Sequence, residues 1–239
     1  NHLSKQVYDY PYIDKTFANG EDPPLDIVFI SNGEAVADFN YNHLLHLHNT
    51  GPNRIVRVDG VKGRAAAYHA AARASETAWF FAVFAKLRVD PKFNFAWQPD
   101  RLQEPKHYIF HAFNPITTLT YGHQAMIAYN KNLVLNNPGV GLDFTLDSAH
   151  EVVPILSGTA EYCDSEWMGW RTAFREVLKL RDSLPDVENE YRLGQWLTKA
   201  FGQPYGQYSI YGAEDAIEYY ESVNGNFDAL KKSYDWEWL

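Results

Sequence analysis

The sequence predicts an α/β fold, a mostly parallel sheet flanked by helices with a C-terminal helical extension. Three observations carry that prediction. LDIVFIS (25–31) and WFFAVFA (79–85) are continuous apolar runs, each of strand length, of the kind that parallel sheets bury on both faces. Between them a second strand pattern and an alanine-rich helix pattern follow in quick succession, which implies crossovers and helices on the sheet faces. After Ser165 the helical period takes over. The chain has 239 residues, 46% of them hydrophobic, enough for one large packed core.

The elements follow in order. Residues 1–24 form an aromatic-rich lead-in that ends in the stiff pair Pro23-Pro24. The first strand stops at the turn residues of NGE. Residues 35–48 suit a helix, with Phe39, Leu44, Leu45 and Leu47 as its apolar positions. RIVRVDG (54–60) is the second strand, alternating at first. Residues 64–75 form the alanine-rich helix, since alanine has the highest helix propensity and lets a helix pack close to a sheet. The third strand follows. KHYIFHAF (106–113), QAMIAYN (124–130) and HEVVPILSG (150–158) are further strands, and Pro154 marks an edge or a bend in the last. Ser165 caps a long amphipathic helix with Trp170, Phe174, Val177 and Leu178 on one side. Beyond residue 186 two or three short helices rich in Tyr and Trp are expected. The organisation is therefore a lead-in (1–24), an α/β domain (25–185) and a helical extension (186–239) packed on it. A first residue that is Asn rather than Met suits a processed chain or a domain of a longer one.

Composition excludes several functions. A net charge of −9 argues against a nucleic-acid groove, which needs a basic face. One cysteine, Cys163, rules out an internal disulfide and a thiolate metal cage, and suits a reducing, cytoplasmic setting. No run approaches the ~18 apolar residues of a membrane span. The P-loop, the dinucleotide fingerprint and the nucleophile elbow are all absent. His43, His46 and His48 cluster in HLLHLH, but a zinc site needs further ligands in fixed geometry, so a polar helix face is the default.

Ligands of such sheets sit beyond the carboxyl ends of the strands. Those ends are Ser31-Asn32-Gly33-Glu34, Asp59-Gly60 and Phe84-Ala85-Lys86. In DIVFISNGE, RVDGVKGRAAAYHAAARAS, FNPITTLTYGHQAMIAYNK, WRTAFREVLKL and GAEDAIEYYES the chain resembles the GT-A glycosyltransferases, whose half-Rossmann sheet binds a nucleotide sugar, and more closely a GT-A-like group of tailed phages of cyanobacteria. Most of the chain from Asp26 onward is covered. The resemblance implies a UDP- or GDP-sugar donor, contacted by Ser31, Asn32, Gly33, Glu34 and Asp59, and a host-cytoplasmic location if the chain is phage-encoded. Lys62 and Arg64 stand where a helix N-terminus could face a phosphate.

The departure from the family pattern is at Phe84-Ala85-Lys86, where an Asp-x-Asp pair would hold Mg²⁺ or Mn²⁺. A hard cation needs oxygen ligands and none is offered, so no metal cofactor is expected. Lys86 could replace the metal's charge by donating to phosphate oxygens. Alternatively Phe84 fills the site and Lys86 points to water or pairs with an acid. A general base for transfer would come from Asp143, Asp147 or Glu151, with His150 beside them. Ordinary turn and cap chemistry would explain the same acids. His123, in YGHQ, could donate to a sugar or phosphate or close a turn, and Arg171 could pair with Glu176. Two functions stay open: a metal-independent transferase, and an inactive binding or scaffolding domain that pairs with an active transferase domain.

Overall fold

The computed structural model describes residues 23–47, 50–235 and 237–239. The expected lead-in, apart from Pro23 and Pro24, and His48 of the histidine cluster lie outside the described residues.

Seven strands form one sheet in the order β2-β1-β3-β6-β5-β7-β4. They are β1 (Asp26–Ser31), β2 (Ile55–Asp59), β3 (Trp79–Phe84), β4 (Leu87–Val89), β5 (His107–Asn114), β6 (Leu119–Asn130) and β7 (His150–Ala160). β1 lies between β2 and β3 and pairs with both in parallel. That is the expected half of the sheet. Beyond β3 the sheet is mixed: β6 runs antiparallel to both β3 and β5, β5 and β7 are parallel, and β4 closes the far edge antiparallel to β7. A short reversal through residues 115–118, with Thr118 at φ 57°, makes β5 and β6 a hairpin, the connection that only antiparallel neighbours can use.

Pro154 falls inside β7, and β7 is not an edge strand. Its register against β5 steps from Phe110↔Val153 to His111↔Leu156, so the residue that cannot donate to a ladder sits in the irregular step. Gly158 sits where β7 pairs with β4 opposite Val89, and a Cβ there would lie 2.2 Å from the Arg88 carbonyl oxygen.

The two faces of the sheet build two cores. On one, Ile27, Phe29, Phe81 and Val83 meet Phe93, Phe95, Trp97 and Phe110. Phe81 packs edge-on against Phe93 and Phe95 at 5.8 and 5.2 Å. Each such ring stabilises the fold by about 1.5–3 kcal/mol relative to an exposed one. On the other face Val28, Ile30, Phe80, Ala82 and Tyr129 are covered by Ala71 and Ala72 of α2 (Arg64–Ala74). α3 (Lys131–Asn136) lies on the same side through Val134.

α1 (Ala37–Leu45) forms where a helix is expected but turns a different face inward. Ala37, Asn40 and Leu44 are buried, whereas Phe39 is 63% exposed. Polar contacts set that phase: Asn40 Nδ2 donates to the Ala85 carbonyl at 2.8 Å, and the His43 ring donates to the Val89 carbonyl at 2.8 Å.

The helical part comprises α4 (Glu166–Asp182), α5 (Val187–Thr198), α6 (Gly206–Ser222) and α7 (Phe227–Lys231), then a single 3₁₀ turn (Lys232–Tyr234). Ser165 caps α4 by accepting from Met168 N at 3.2 Å. α6 has 17 residues, longer than the short helices expected there. It crosses α4 closely, since a Cβ on Gly212 would sit 2.1 Å from the Trp170 carbonyl oxygen.

Candidate functional site

The carboxyl ends of β1, β2 and β3 open on one side of the sheet, and two polar networks stand there. The first joins the residues after β1 and β2. Ser31 Oγ donates to Asp59 Oδ1, and Arg57 Nε donates to Ser31 Oγ at 3.0 Å. Arg57 also reaches Asp38 at 2.6 Å and Asp59 at 3.5 Å, with its guanidinium 5.2 Å over the Tyr41 ring. The hydrogen bond to Asp38 raises the Arg57 pKa, partial desolvation opposing it. Gly60, at φ 69°, donates its N–H to the Ser31 carbonyl at 3.0 Å and so fixes the two strand ends side by side. Glu34 folds back to accept from Asn32 N at 2.6 Å across Gly33, which takes φ 84°. Asn32 and Gly33 are exposed, as is Lys62. Ser31, Asn32, Gly33, Glu34 and Asp59 are thus gathered as one surface, with Arg57 as a member the sequence did not single out.

The second network surrounds Lys86, which follows β3. Phe84 packs edge-on to Tyr68 of α2 at 5.5 Å, on the core side. Lys86 does not point to bulk water. It keeps part of its surface accessible but lies deep enough that desolvation lowers its pKa to about 8, with Lys179, Arg175 and Arg171 pressing in the same direction and Glu176 opposing them. His123, from β6, is buried beside it. Desolvation, then the Lys86 charge, lowers its pKa to about 3, so the ring is neutral. Its Nδ1 accepts from Ala125 N at 3.0 Å.

Four of the charged side chains come from α4. Arg171, Arg175, Glu176 and Lys179 fall at helical spacing on a stripe beside the apolar face of that helix. Glu176 pairs with Lys179 at 2.7 Å. That pair holds the Glu176 pKa down at about 2 against its desolvation, and raises Lys179 against its own. Asp143 lies 3.7 Å from Lys179, accepts from Thr145 N at 3.0 Å and Leu146 N at 3.3 Å, and also accepts from Gln124 Nε2. Arg64 donates to the carbonyls of Leu142 and Gly141 at 2.8 and 2.7 Å, which ties the Asp143 loop to the start of α2. Arg64 and Arg175 lie 4.1 and 4.3 Å from the Tyr234 ring centre, and Arg192 of α5 lies 4.2 Å from that of Tyr121.

The charge of this network is one-sided. Lys86, Arg64, Arg175, Lys179 and Arg192 stand against Asp143 and Glu176, five cations to two carboxylates among the described residues, in a chain whose net charge is −9. The buried Nε atoms of Arg175 and Arg192 have no hydrogen-bond partner among the described residues. Such a field suits an anion held by charge-assisted hydrogen bonds. Both carboxylates lie beside Lys179, Glu176 at 2.7 Å and Asp143 at 3.7 Å. Among the described residues no group of three His, Cys, Asp or Glu has the arrangement a metal needs.

The other expected acids lie elsewhere. Asp147 is exposed and accepts from Gly141 N at 3.1 Å. Glu151 pairs with Lys106 at 2.6 Å. Its register partner is Tyr108, at the start of β5, so it sits at the opposite end of the sheet from Lys86. His43 and His46 contact carbonyls of Val89 and Asn42.

No family model matches the chain, and no curated protein matches it. Two solved structures are similar in fold at low identity. HddC from Yersinia pseudotuberculosis is 11% identical over 62% of this chain and 74% of that chain, with a TM-score of 0.35. The mannosyltransferase PcManGT from Pyrobaculum calidifontis, in complex with GDP-Man and Mn²⁺, is 11% identical over 92% of this chain and 84% of that one, with a TM-score of 0.44. Neither score reaches 0.5, so the chemistry of this chain rests on its own residues.

Proposed function

We propose that the chain is a glycosyltransferase-like protein that binds a nucleotide sugar, UDP- or GDP-linked, across the two networks without a divalent metal. The observation that carries this reading is the surplus of cations around Lys86 at the carboxyl end of β3. A diphosphate there would meet Lys86 and the Arg175 and Lys179 flank of α4. The nucleoside would extend over Ser31, Asn32, Gly33, Glu34 and Asp59, the crevice where sheets of this kind place ligands. Lys62, just before α2, and Arg64, its first residue, would border the same crevice. In transfer, the same cations would offset charge developing on a departing diphosphate, the role a metal fills elsewhere. His123, neutral beside Lys86, would donate a hydrogen bond rather than a charge.

Thermal unfolding in excess chelator tests the reading. A UDP- or GDP-sugar at a hundredfold excess over Kd stabilises by about 2.7 kcal/mol. Lys86→Met removes that shift while raising the Tm of the free protein, because an ammonium held in a poorly solvated place is replaced by an apolar chain of similar length. Affinity in the parent protein is flat below pH 8 and falls above it, since Lys86, with a pKa of about 8, loses its proton there and the bound anion favours the protonated form. Absence of a shift with every nucleotide sugar, with and without metal, overturns the proposal.

One observation favours a second reading, binding without transfer. Asp143 is the expected base nearest Lys86, and its carboxylate already accepts from two backbone N–H groups and Gln124 while facing Lys179. In that reading the chain would act beside an active transferase domain. Release of nucleoside diphosphate from the bound donor, assayed with chelator present, separates transfer from binding alone.

A further inference from the structure

A cavity lies on the other flank of α4. It is open, about 400 Å³, and lined by Trp170, Phe174, Asp215, Glu218, Tyr219 and Trp238. Trp170 and Phe174 follow one another on α4 and stack at 4.9 Å with an 18° tilt, and Trp167 extends the stack at 5.4 Å and 19°. Facing them, Trp238 packs on Tyr219 at 5.2 Å and on Phe174 at 6.5 Å, tilted by 52° and 46°, and keeps 39% of its surface exposed. Trp170 Nε1 donates to Asp215 Oδ2 at 2.6 Å. The second oxygen of Asp215 and the carboxylate of Glu218, one turn along α6, border the cavity. Residues 170 and 174 are each one position from Arg171 and Arg175. The cavity and the cation network therefore occupy adjacent flanks of one helix, about 100° apart.

We infer that this cavity binds a neutral sugar unit of a glycan. A pyranose presents a flat apolar face of C–H bonds and an equator of hydroxyls. The cavity presents the matching parts, an exposed indole as a platform and carboxylate oxygens on its rim that accept from hydroxyls. The two carboxylates disfavour an anionic ligand. An ammonium would be drawn to them, but a cage for a cation needs several open ring faces. Here Trp170 lies between Trp167 and Phe174, so the stack covers its faces with other rings. A partly exposed indole beside a polar rim suits a sugar better. Calling that glycan the acceptor rests on the proposed transferase reading; its binding does not.

Tryptophan fluorescence of the full chain, titrated separately with maltohexaose, cellohexaose, mannohexaose and tetramethylammonium, tests the inference. A saturable change in the millimolar range is expected with at least one hexasaccharide. Trp238→Ala and, independently, Asp215→Asn weaken it about tenfold or more, as loss of a central contact does. Lys86→Met leaves it unchanged, and Trp238→Ala leaves any nucleotide-sugar shift unchanged, so the two sites fail or stand separately. Saturation by tetramethylammonium alone overturns the inference, and so does the absence of saturation with every hexasaccharide. A hexasaccharide response that survives both Trp238→Ala and Asp215→Asn, in variants whose circular dichroism is unaltered, overturns it as well.

Discussion

The two networks at the carboxyl end of the sheet differ in how their charges are balanced. After β1 and β2, Arg57 faces Asp38 and Asp59, which are 82% and 57% exposed. Water solvates that set, in which one cation stands against two carboxylates. After β3, buried or half-buried cations outnumber carboxylates, and most of the pKa shifts start from desolvation. In the first network removal of a partner leaves a charge that water can solvate. In the second it leaves one that water reaches only in part, since Glu176 and Lys179 keep 24% and 25% of their side-chain surface exposed. The difference teaches that position at a strand end does not by itself make a strong site; charge left uncompensated away from water does.

The largest effect expected from that contrast is on Glu176. It is the half-buried acid that pairs with Lys179 at 2.7 Å, and its low pKa records how strongly the surrounding cations hold it ionised. Glu176→Gln should destabilise the fold by about 3 kcal/mol, the low end of the usual result of removing one member of a buried pair, because each side chain keeps about a quarter of its surface exposed. Urea unfolding at pH 7 measures it. A loss under about 1 kcal/mol would place the second network in the same solvated class as the first.

Acid should act through the same region. His123 has a pKa of about 3 in the fold against 6.5 in the open chain, so between those values the unfolded state binds a proton that the native state does not. Stability therefore rises with pH through that window and falls as pH drops, by about 3 kcal/mol at pH 4 from this group. Lys86, Lys179 and Arg192 oppose the proton and Glu176 favours it. His107, lowered to about 4 by its own burial, adds to the loss in the same direction. Unfolding curves between pH 7 and pH 4 should show the decline, with a shallower slope in His123→Asn. A parent protein of constant stability over that range would contradict the account of a desolvated ring.

Much of this architecture was legible. β1 and β3 were, because both faces of each are buried and the sequence shows an unbroken apolar run. The places of Ser31, Asp59 and Lys86 at or just past strand ends were, because the turn residues that stop those strands are plain in the sequence. β4 was not: it is three residues, and its partner strand lies some seventy positions later. Nor was the inward face of α1, where Asn40 rather than Phe39 points to the sheet because two carbonyls, those of Ala85 and Val89, fix the phase. The largest omission was the stripe Arg171, Arg175, Glu176 and Lys179. On an isolated amphipathic helix a charged stripe reads as the solvent side. It becomes interior only because the helix lies across the end of the sheet with one flank toward Lys86 and the other toward α6. The useful sign was local: a run of charges next to the apolar face, with too many cations for its acids.

The smallest expected effect is the one that keeps the contrast honest at its other end. Asp38 holds Arg57 at 2.6 Å, the shortest ion-pair distance in its network, and it is the main cause of the raised Arg57 pKa. Distance alone would rank this contact with Glu176–Lys179. Exposure ranks it far below, since water screens the pair and both side chains lose rotamer freedom in forming it. Asp38→Asn should therefore change stability by no more than about 0.5 kcal/mol, with Arg57 still donating to Ser31 and facing Asp59. Salt should erase even that, because the Debye length falls to about 3 Å at 1 M. A double-mutant cycle with Arg57→Met, run at low and high salt, isolates the pair. Coupling above about 1 kcal/mol that survives salt would mean that the first network, too, is shielded from water, and the two ends of the crevice would no longer differ in kind.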